Sequence, residues 1–151
     1  MNLYSIQAGN FKLDGGAMFG VVPKSLWEKT NPADSNNMID MSARCMLIED
    51  GGKLILVDTG MGNKQSEKFF SHYKRWGNFD LVKSINAAGF GVDEITDVLL
   101  THLHFDHCGG AVFWDSAKGG MMFSLKTPTI GPMRITGIGL PSLIPEKKLL
   151  F

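Results

Sequence analysis

The segment that decides the fold is Thr101-His102-Leu103-His104-Phe105-Asp106-His107-Cys108-Gly109-Gly110. It follows the apolar run Val98-Leu99-Leu100, which predicts a buried strand that ends where the histidines begin. Two histidines one residue apart can bind one cation there, because a backbone that changes from extended to loop can turn both imidazoles to the same side. The aspartate and the third histidine add an oxygen and a nitrogen, a mixture that suits Zn²⁺ and related metals such as Mn, Fe or Co. The spacing therefore predicts a site for one or two divalent ions. The predicted ligands are His102, His104, Asp106 and His107.

Such a site indicates hydrolytic chemistry. A divalent cation lowers the pKa of bound water to near 7 and polarises the carbonyl or phosphoryl oxygen under attack. Ester, lactone, thioester, β-lactam and phosphoester bonds are all within reach, and the motif does not choose among them. A lone histidine is usually a surface or core residue, and we place His72 in that class. Three histidines and an aspartate in one short segment instead favour a metal site.

Two further side chains belong to the prediction. Asp58 ends the apolar run Leu54-Ile55-Leu56-Val57, where a carboxylate is costly unless it is paired. We therefore expect Asp58 to orient a ligating histidine from behind; the alternative is an Asx turn into Gly60. Cys108 is either a ligand or, as we favour, a small buried thiol.

The remaining patterns predict an α/β arrangement. Residues 44–49 and 53–58 flank Asp50-Gly51-Gly52, which is typical of a β-hairpin. Residues 3–11 predict a first strand, and Gly15-Gly16 predicts a turn. Residues 25–37 predict a surface loop anchored by Trp27, and residues 65–88 predict two short helices interrupted near Gly77.

Composition narrows the partners. Lys+Arg and Asp+Glu both total 15 among the 151 residues, so no overall charge favours nucleic acid or anionic lipid. The longest apolar runs fall short of the roughly 18 residues that span a bilayer. The N-terminus has no secretory pattern, and the two cysteines are isolated. We expect one cytoplasmic domain that acts on a small molecule, with no nucleic acid and no membrane as partner.

The sequence resembles the metallo-β-lactamase superfamily. The resemblance rests on Leu54-Ile55-Leu56-Val57-Asp58-Thr59-Gly60 and on the segment 101–110, covers roughly residues 3–114, and is nearest to the lactonase and methyl-parathion-hydrolase-like branch. It implies an αββα sandwich, with a mixed β-sheet and flanking helices. It also implies that His102 and His104 bind a first metal, Asp106 and His107 bind a second, and Asp106 is the catalytic, water-orienting carboxylate.

The chain changes character after Asp115. Residues 116–151 hold one acidic residue, no histidine and four of the six prolines, and no regular period. The family completes its site with later ligands, including two histidines, whereas all four histidines here lie at or before position 107. We expect residues 1–119 to form the N-terminal half of the sandwich and residues 120–151 to be an atypical tail. Read one base out of frame, residues 126–151 can encode NANYWSNEDHWNWATEPNPREKASF, which resembles the family's following helical region. We therefore hypothesise a frameshift between about residues 120 and 126.

Three functions remain open. The first is a metal-dependent hydrolase of an acyl or phosphoester bond, incomplete in this chain, with metal-bound hydroxide as the nucleophile. The alternative is a non-catalytic metal-binding or assembly protein that uses the loop for a structural ion or forms a homodimer across an exposed sheet. An oxidoreductase or sulfur-handling function, which would need iron and further carboxylates, ranks last.

Overall fold

The computed structural model describes residues 1–77, 80–117, 120–123 and 130–132. The strands in these ranges are β1 (Asn2–Asp14), β2 (Met38–Asp50), β3 (Lys53–Val57), β4 (Asp97–Leu100), β5 (Val112–Asp115), β6 (Gly120–Phe123) and β7 (Ile130–Pro132). The α-helices are α1 (Gly15–Phe19), α2 (Lys24–Trp27), α3 (Glu67–Ser71), α4 (Leu81–Ala87) and α5 (Phe105–Cys108). None of the helices in these ranges is long and apolar enough to cross a membrane.

The main sheet is mixed, as predicted. Its strand order is β1-β2-β3-β4-β7, and the short strands β5 and β6 form a second, two-stranded sheet. The β1–β2 and β2–β3 pairs are antiparallel, whereas β3–β4 and β4–β7 are parallel. Because β3 and β4 run in the same direction, the residues that follow them emerge at the same edge of the sheet.

The predicted hairpin is confirmed. β2 and β3 are joined at Gly51 and Gly52, whose φ angles are 55° and 80°. Two central residues with positive φ match the twist of a two-residue hairpin, and glycine adopts them without strain. The turn sets the register in which Leu47 lies opposite Leu56.

The core lies on one face of the sheet and is covered by α4. Alternate strand residues point to this face, where Ile6, Leu47, Leu56 and Val98 are buried. Helix α4 packs on them through Ile85, which has no exposed surface. A smaller cluster at the other end joins α3 to the sheet. It contains Phe11, Ala43, Met61 and Phe70.

The N-terminal region differs from its prediction. β1 extends to Asp14 instead of ending near residue 11, because its partner β2 begins early enough to pair Leu13 with Ile39. The predicted turn at Gly15-Gly16 is wrong: α1 begins there, with the Asp14 carboxylate accepting a hydrogen bond from the backbone N–H of Ala17 at 2.8 Å. Trp27 is buried, as predicted for the loop anchor.

Two short strands lie in the predicted tail, where the sequence shows no regular pattern. β6 pairs with β5, and β7 lies beside β4, which would otherwise be an edge with unpaired backbone groups. The domain boundary at residue 119 stays a prediction. Residues 133–151, which make up most of the segment in the frameshift hypothesis, lie outside the described residues.

Candidate metal centre

The sheet topology brings Asp58 and the histidine segment together. Asp58 follows β3 and Thr101 follows β4, and the backbone N–H of Asp58 donates to the carbonyl of Leu99 at 2.9 Å. The chain then enters α5, in which Asp106 and His107 lie one turn beyond His102 and His104. One corner of the sheet therefore holds every residue that the sequence nominates for the site.

Two glycine segments, residues 59–62 and 109–110, fix this corner by direct backbone contact. Thr59 N–H donates to the His107 carbonyl at 2.7 Å, and Gly110 N–H donates to the Gly60 carbonyl at 2.8 Å. A Cβ atom at Gly110 would lie 2.2 Å from the Thr59 carbonyl oxygen, and one at Gly109 would lie 2.2 Å from that of Met61. The histidine segment can pack this closely because both positions lack a side chain.

The proposed ligands approach each other as two pairs. His102 Nε2 and His104 Nδ1 are 3.1 Å apart, and His107 Nε2 is 3.4 Å from Asp106 Oδ2. The ring centroids of His102 and His107 are 4.0 Å apart. Within the described ranges, no group of three or more His, Cys, Asp or Glu side chains is arranged to hold one ion.

These pair distances fit divalent metals. Two ligands at about 2.0–2.1 Å from a tetrahedral zinc lie about 3.3 Å from each other. Each pair is close to that separation, so neither needs a large movement to share an ion. Imidazole nitrogens and a carboxylate oxygen are also ligands that zinc accepts. The residues present therefore fit a site at which each pair contributes two ligands to an ion.

Asp58 lies behind this group with 8% of its surface exposed. Its Oδ2 is 2.8 Å from His107 Nδ1. A neutral imidazole that donates from Nδ1 keeps its lone pair on Nε2, the nitrogen that faces Asp106. Asp58 also has φ of 62°, a left-handed conformation that aspartate tolerates better than most residues. Asp58 therefore contacts one of the predicted ligands directly, and its role in orienting that ligand stays a prediction.

The surroundings of His102 favour the neutral form of its imidazole. Burial lowers the pKa of His102, and the nearby charges of His107 and His104 lower it further. A neutral imidazole is the form that binds a metal. Cys108, beside the segment, is half-buried, and burial raises the pKa of its thiol. This environment is that of a structural thiol, whereas His72 is exposed and lies outside the group.

Two further residues, Thr101 and Lys64, contact the centre, and the sequence analysis predicts a role for neither. Thr101 Oγ1 lies between the Asp58 carboxylate and His102 Nδ1, at 2.8 Å and 3.0 Å. The Lys64 ammonium donates to the Gly109 carbonyl, and burial lowers its pKa. The position of Thr101, directly before the first histidine, is the only sequence signal for it. Nothing local indicates Lys64.

Comparison with known proteins identifies the class to which this fold and site belong. The family model described as the metallo-beta-lactamase superfamily matches residues 39–120, which include all but the first residue of β2, together with β3, β4 and the histidine segment. The chain belongs to the metallo-β-lactamase superfamily. The α/β fold with a mixed sheet, predicted from the two motifs, is the N-terminal portion of that fold.

The similar proteins include a probable metal-dependent hydrolase and a lactonase. A "probable metal-dependent hydrolase" from Staphylococcus aureus is 35% identical with a TM-score of 0.70, over 74% of this chain and 41% of that one. AidC, a dizinc quorum-quenching lactonase, is 28% identical with a TM-score of 0.59, over 85% and 40%. An Integrator complex subunit 11 homolog of Dictyostelium discoideum is 30% identical over 101 residues, 62% of this chain and 12% of that protein. The chain thus spans about two fifths of the matched structures.

Proposed function

We propose that this chain carries the metal-binding segment of a metal-dependent hydrolase. His102 and His104 bind one divalent ion, and Asp106 and His107 bind a second, with Zn²⁺ as the favoured metal and Mn, Fe or Co as others. The observation that supports this most is the spacing of the two ligand pairs, 3.1 Å and 3.4 Å, in front of a buried carboxylate.

The reaction follows from what each side chain can do. When bound, a divalent cation makes water more acidic and polarises the carbonyl or phosphoryl oxygen under attack. Asp106 accepts a hydrogen bond from the attacking water and so orients it toward the substrate. Asp58 accepts a hydrogen bond from His107 Nδ1, so that the Nε2 lone pair of His107 stays directed at the centre. Glycines 109 and 110 keep the whole segment in place.

Lactones and other carboxylic esters are our favoured substrates, and phosphoesters come next. The support is the similarity to AidC, which is described as a dizinc lactonase. The four proposed ligands do not choose among these substrates, since the chemistry of a bound divalent ion serves all of them. A catalytic zinc takes about three protein ligands, so the proposal requires ligands in addition to these four residues. We therefore expect this chain to bind metal more weakly than a full site does.

Metal analysis tests the proposal directly. Purified protein is dialysed against a fixed concentration of free Zn²⁺, and the zinc bound at equilibrium is measured for the wild type, His104→Ala and the matched control His72→Ala. We expect the wild type and the control to retain zinc equally and His104→Ala to retain less. Equal zinc in all three proteins, or none in the wild type, would overturn the proposal.

Activity is tested separately with Asp106→Asn. We expect the residual hydrolysis of an N-acyl homoserine lactone, compared at equal bound zinc, to be slower in the variant while its circular dichroism spectrum stays unchanged. Hydrolysis that is equal in the two proteins would show that the Asp106 carboxylate does not orient the water.

The second candidate is a non-catalytic assembly role, and one observation favours it. The face of the sheet opposite the core is apolar across three adjacent strands, with Leu3 opposite Ile48 and Ile48 opposite Ile55. Met46 is opposite Val57 on the same face, and 38% of Met46 is exposed. A second copy of this chain could cover that face by sheet-on-sheet packing.

A further inference from the structure

We propose that Thr101 is a positioning residue that fixes the tautomer of His102. Its hydroxyl connects the Asp58 carboxylate to His102 at 3.0 Å, whereas His107 Nδ1 lies 2.8 Å from Asp58 and farther, 3.5 Å, from the Thr101 hydroxyl. One carboxylate would thus orient two histidines, one directly and one through a hydroxyl group. The meaning of this for catalysis rests on the proposed function, in which both histidines bind metal.

The direction of the first hydrogen bond is set by chemistry. Thr101 Oγ1 lies 2.9 Å from Asp58 Oδ1 and 2.8 Å from Oδ2. The backbone N–H of Thr101 also donates to Oδ1 at 2.8 Å. A carboxylate can only accept hydrogen bonds, and a hydroxyl has a single proton. The threonine proton is therefore directed at Asp58.

The direction of the second bond follows from the first. Because the Thr101 hydroxyl donates its one hydrogen bond to Asp58, its oxygen can only accept a hydrogen bond from His102 Nδ1, which lies 3.0 Å away. His102 must therefore carry its proton on Nδ1, and its Nε2 keeps a lone pair. That Nε2 lies 3.1 Å from His104 Nδ1, and in the proposed function these two nitrogens would hold the first metal ion.

Threonine is well suited to this position. Its backbone N–H and its side chain bind the same carboxylate, and its branched Cβ restricts rotation about χ1. Valine has nearly the same shape without the hydroxyl, and serine has the hydroxyl without the branch. Thr101→Val and Thr101→Ser therefore separate the hydrogen bond from the packing.

The test measures histidine tautomers in metal-free protein by long-range proton–nitrogen NMR. In the wild type we expect both His102 and His107 to carry the proton on Nδ1. In Thr101→Val we expect His102 to change to the Nε2-protonated form while His107 does not, and in Thr101→Ser we expect the wild-type pattern. The matched control is Thr96→Val, which removes a hydroxyl that bonds Asp97 and the Leu54 backbone instead.

Two results would overturn the proposal. One is a wild-type His102 protonated on Nε2, which is decisive even if no variant folds. The other is a Thr101→Val protein in which His102 keeps its Nδ1 proton or His107 changes with it. A general structural disturbance would alter His107 and appear in Thr96→Val as well, so it would not mimic the expected pattern.

Metal affinity supplies a second readout. Groups that orient ligating histidines are worth about 10- to 100-fold in affinity, so we expect a loss of that order in Thr101→Val and recovery in Thr101→Ser. Unchanged affinity in Thr101→Val would contradict the positioning role. If the wild type binds no zinc, the proposed function fails, whereas the tautomer result in metal-free protein still decides the role of Thr101.

Discussion

At the level of single residues, His102 makes the stability of the folded protein depend on pH. Its pKa is lowered by burial and by its two histidine neighbours, so protonation favours the unfolded chain. The stabilisation from the neutral ring is complete above the unfolded pKa, about 6.5, and is lost as the pH falls through the lower folded value. We expect the melting temperature of metal-free protein to fall below about pH 6.5, and to fall less in His102→Gln. Parallel curves for the two proteins would contradict this.

Gly110 provides a second prediction at this scale. Because an added Cβ would lie 2.2 Å from the Thr59 carbonyl, Gly110→Ala must push the two glycine segments apart. We expect a loss of about 1–3 kcal/mol in the free energy of unfolding, measured by urea denaturation, together with weaker zinc binding. The control is Gly91→Ala, where the nearest atom would be 3.4 Å away. A Gly110→Ala protein no less stable than the control would rule out the close packing.

The ability of sequence to predict these residues depends on how local their signal is. The four proposed ligands follow from spacing within one segment, and Asp58 follows from the cost of a carboxylate after an apolar strand. Thr101 does not, because its partner Asp58 is 43 positions away and only the pairing of β3 with β4 brings them together. The role of Lys64 cannot be predicted from sequence either, since its contact is with the backbone carbonyl of Gly109, 45 positions away.

At the level of elements, α4 covers the core face of the sheet. Ile85 has no exposed surface and packs among the strand residues, whereas Val82 on the same helix is 46% exposed. We expect Ile85→Ala to cost about 2–5 kcal/mol of unfolding free energy and Val82→Ala about 0.5 kcal/mol or less. Equal effects in denaturant titrations would mean that α4 does not dock through Ile85.

Elements whose sequence signal lies within one short segment can be predicted, whereas the bounds of the others depend on the elements that they contact. The β2–β3 hairpin has a glycine turn, and α3 and α4 lie within residues 65–88, whose apolar residues recur at helical spacing. The length of β1 could not be predicted, because it depends on how far β2 extends beside it. The sequence predicts a turn at Gly15-Gly16, whereas a helix begins there, because Gly15 packs against the Trp27 ring, a contact that the local sequence does not show.

At the scale of the whole molecule, the apolar outer face of the main sheet governs solution behaviour. Met46 and Leu3 are exposed there, beside half-buried Val57. Exposed apolar residues on one face promote association, and identical copies most often pair through the same patch on both. We expect the average mass measured by light scattering to rise with protein concentration, and Met46→Lys to suppress that rise without altering the fold. The control is Met18→Lys, which places the same charge at an exposed methionine on α1, away from the sheet face. A wild type that stays monomeric at every concentration would show that this face does not drive assembly. So would a Met18→Lys protein that is as monomeric as Met46→Lys. Either result would leave the metal centre as the basis for function.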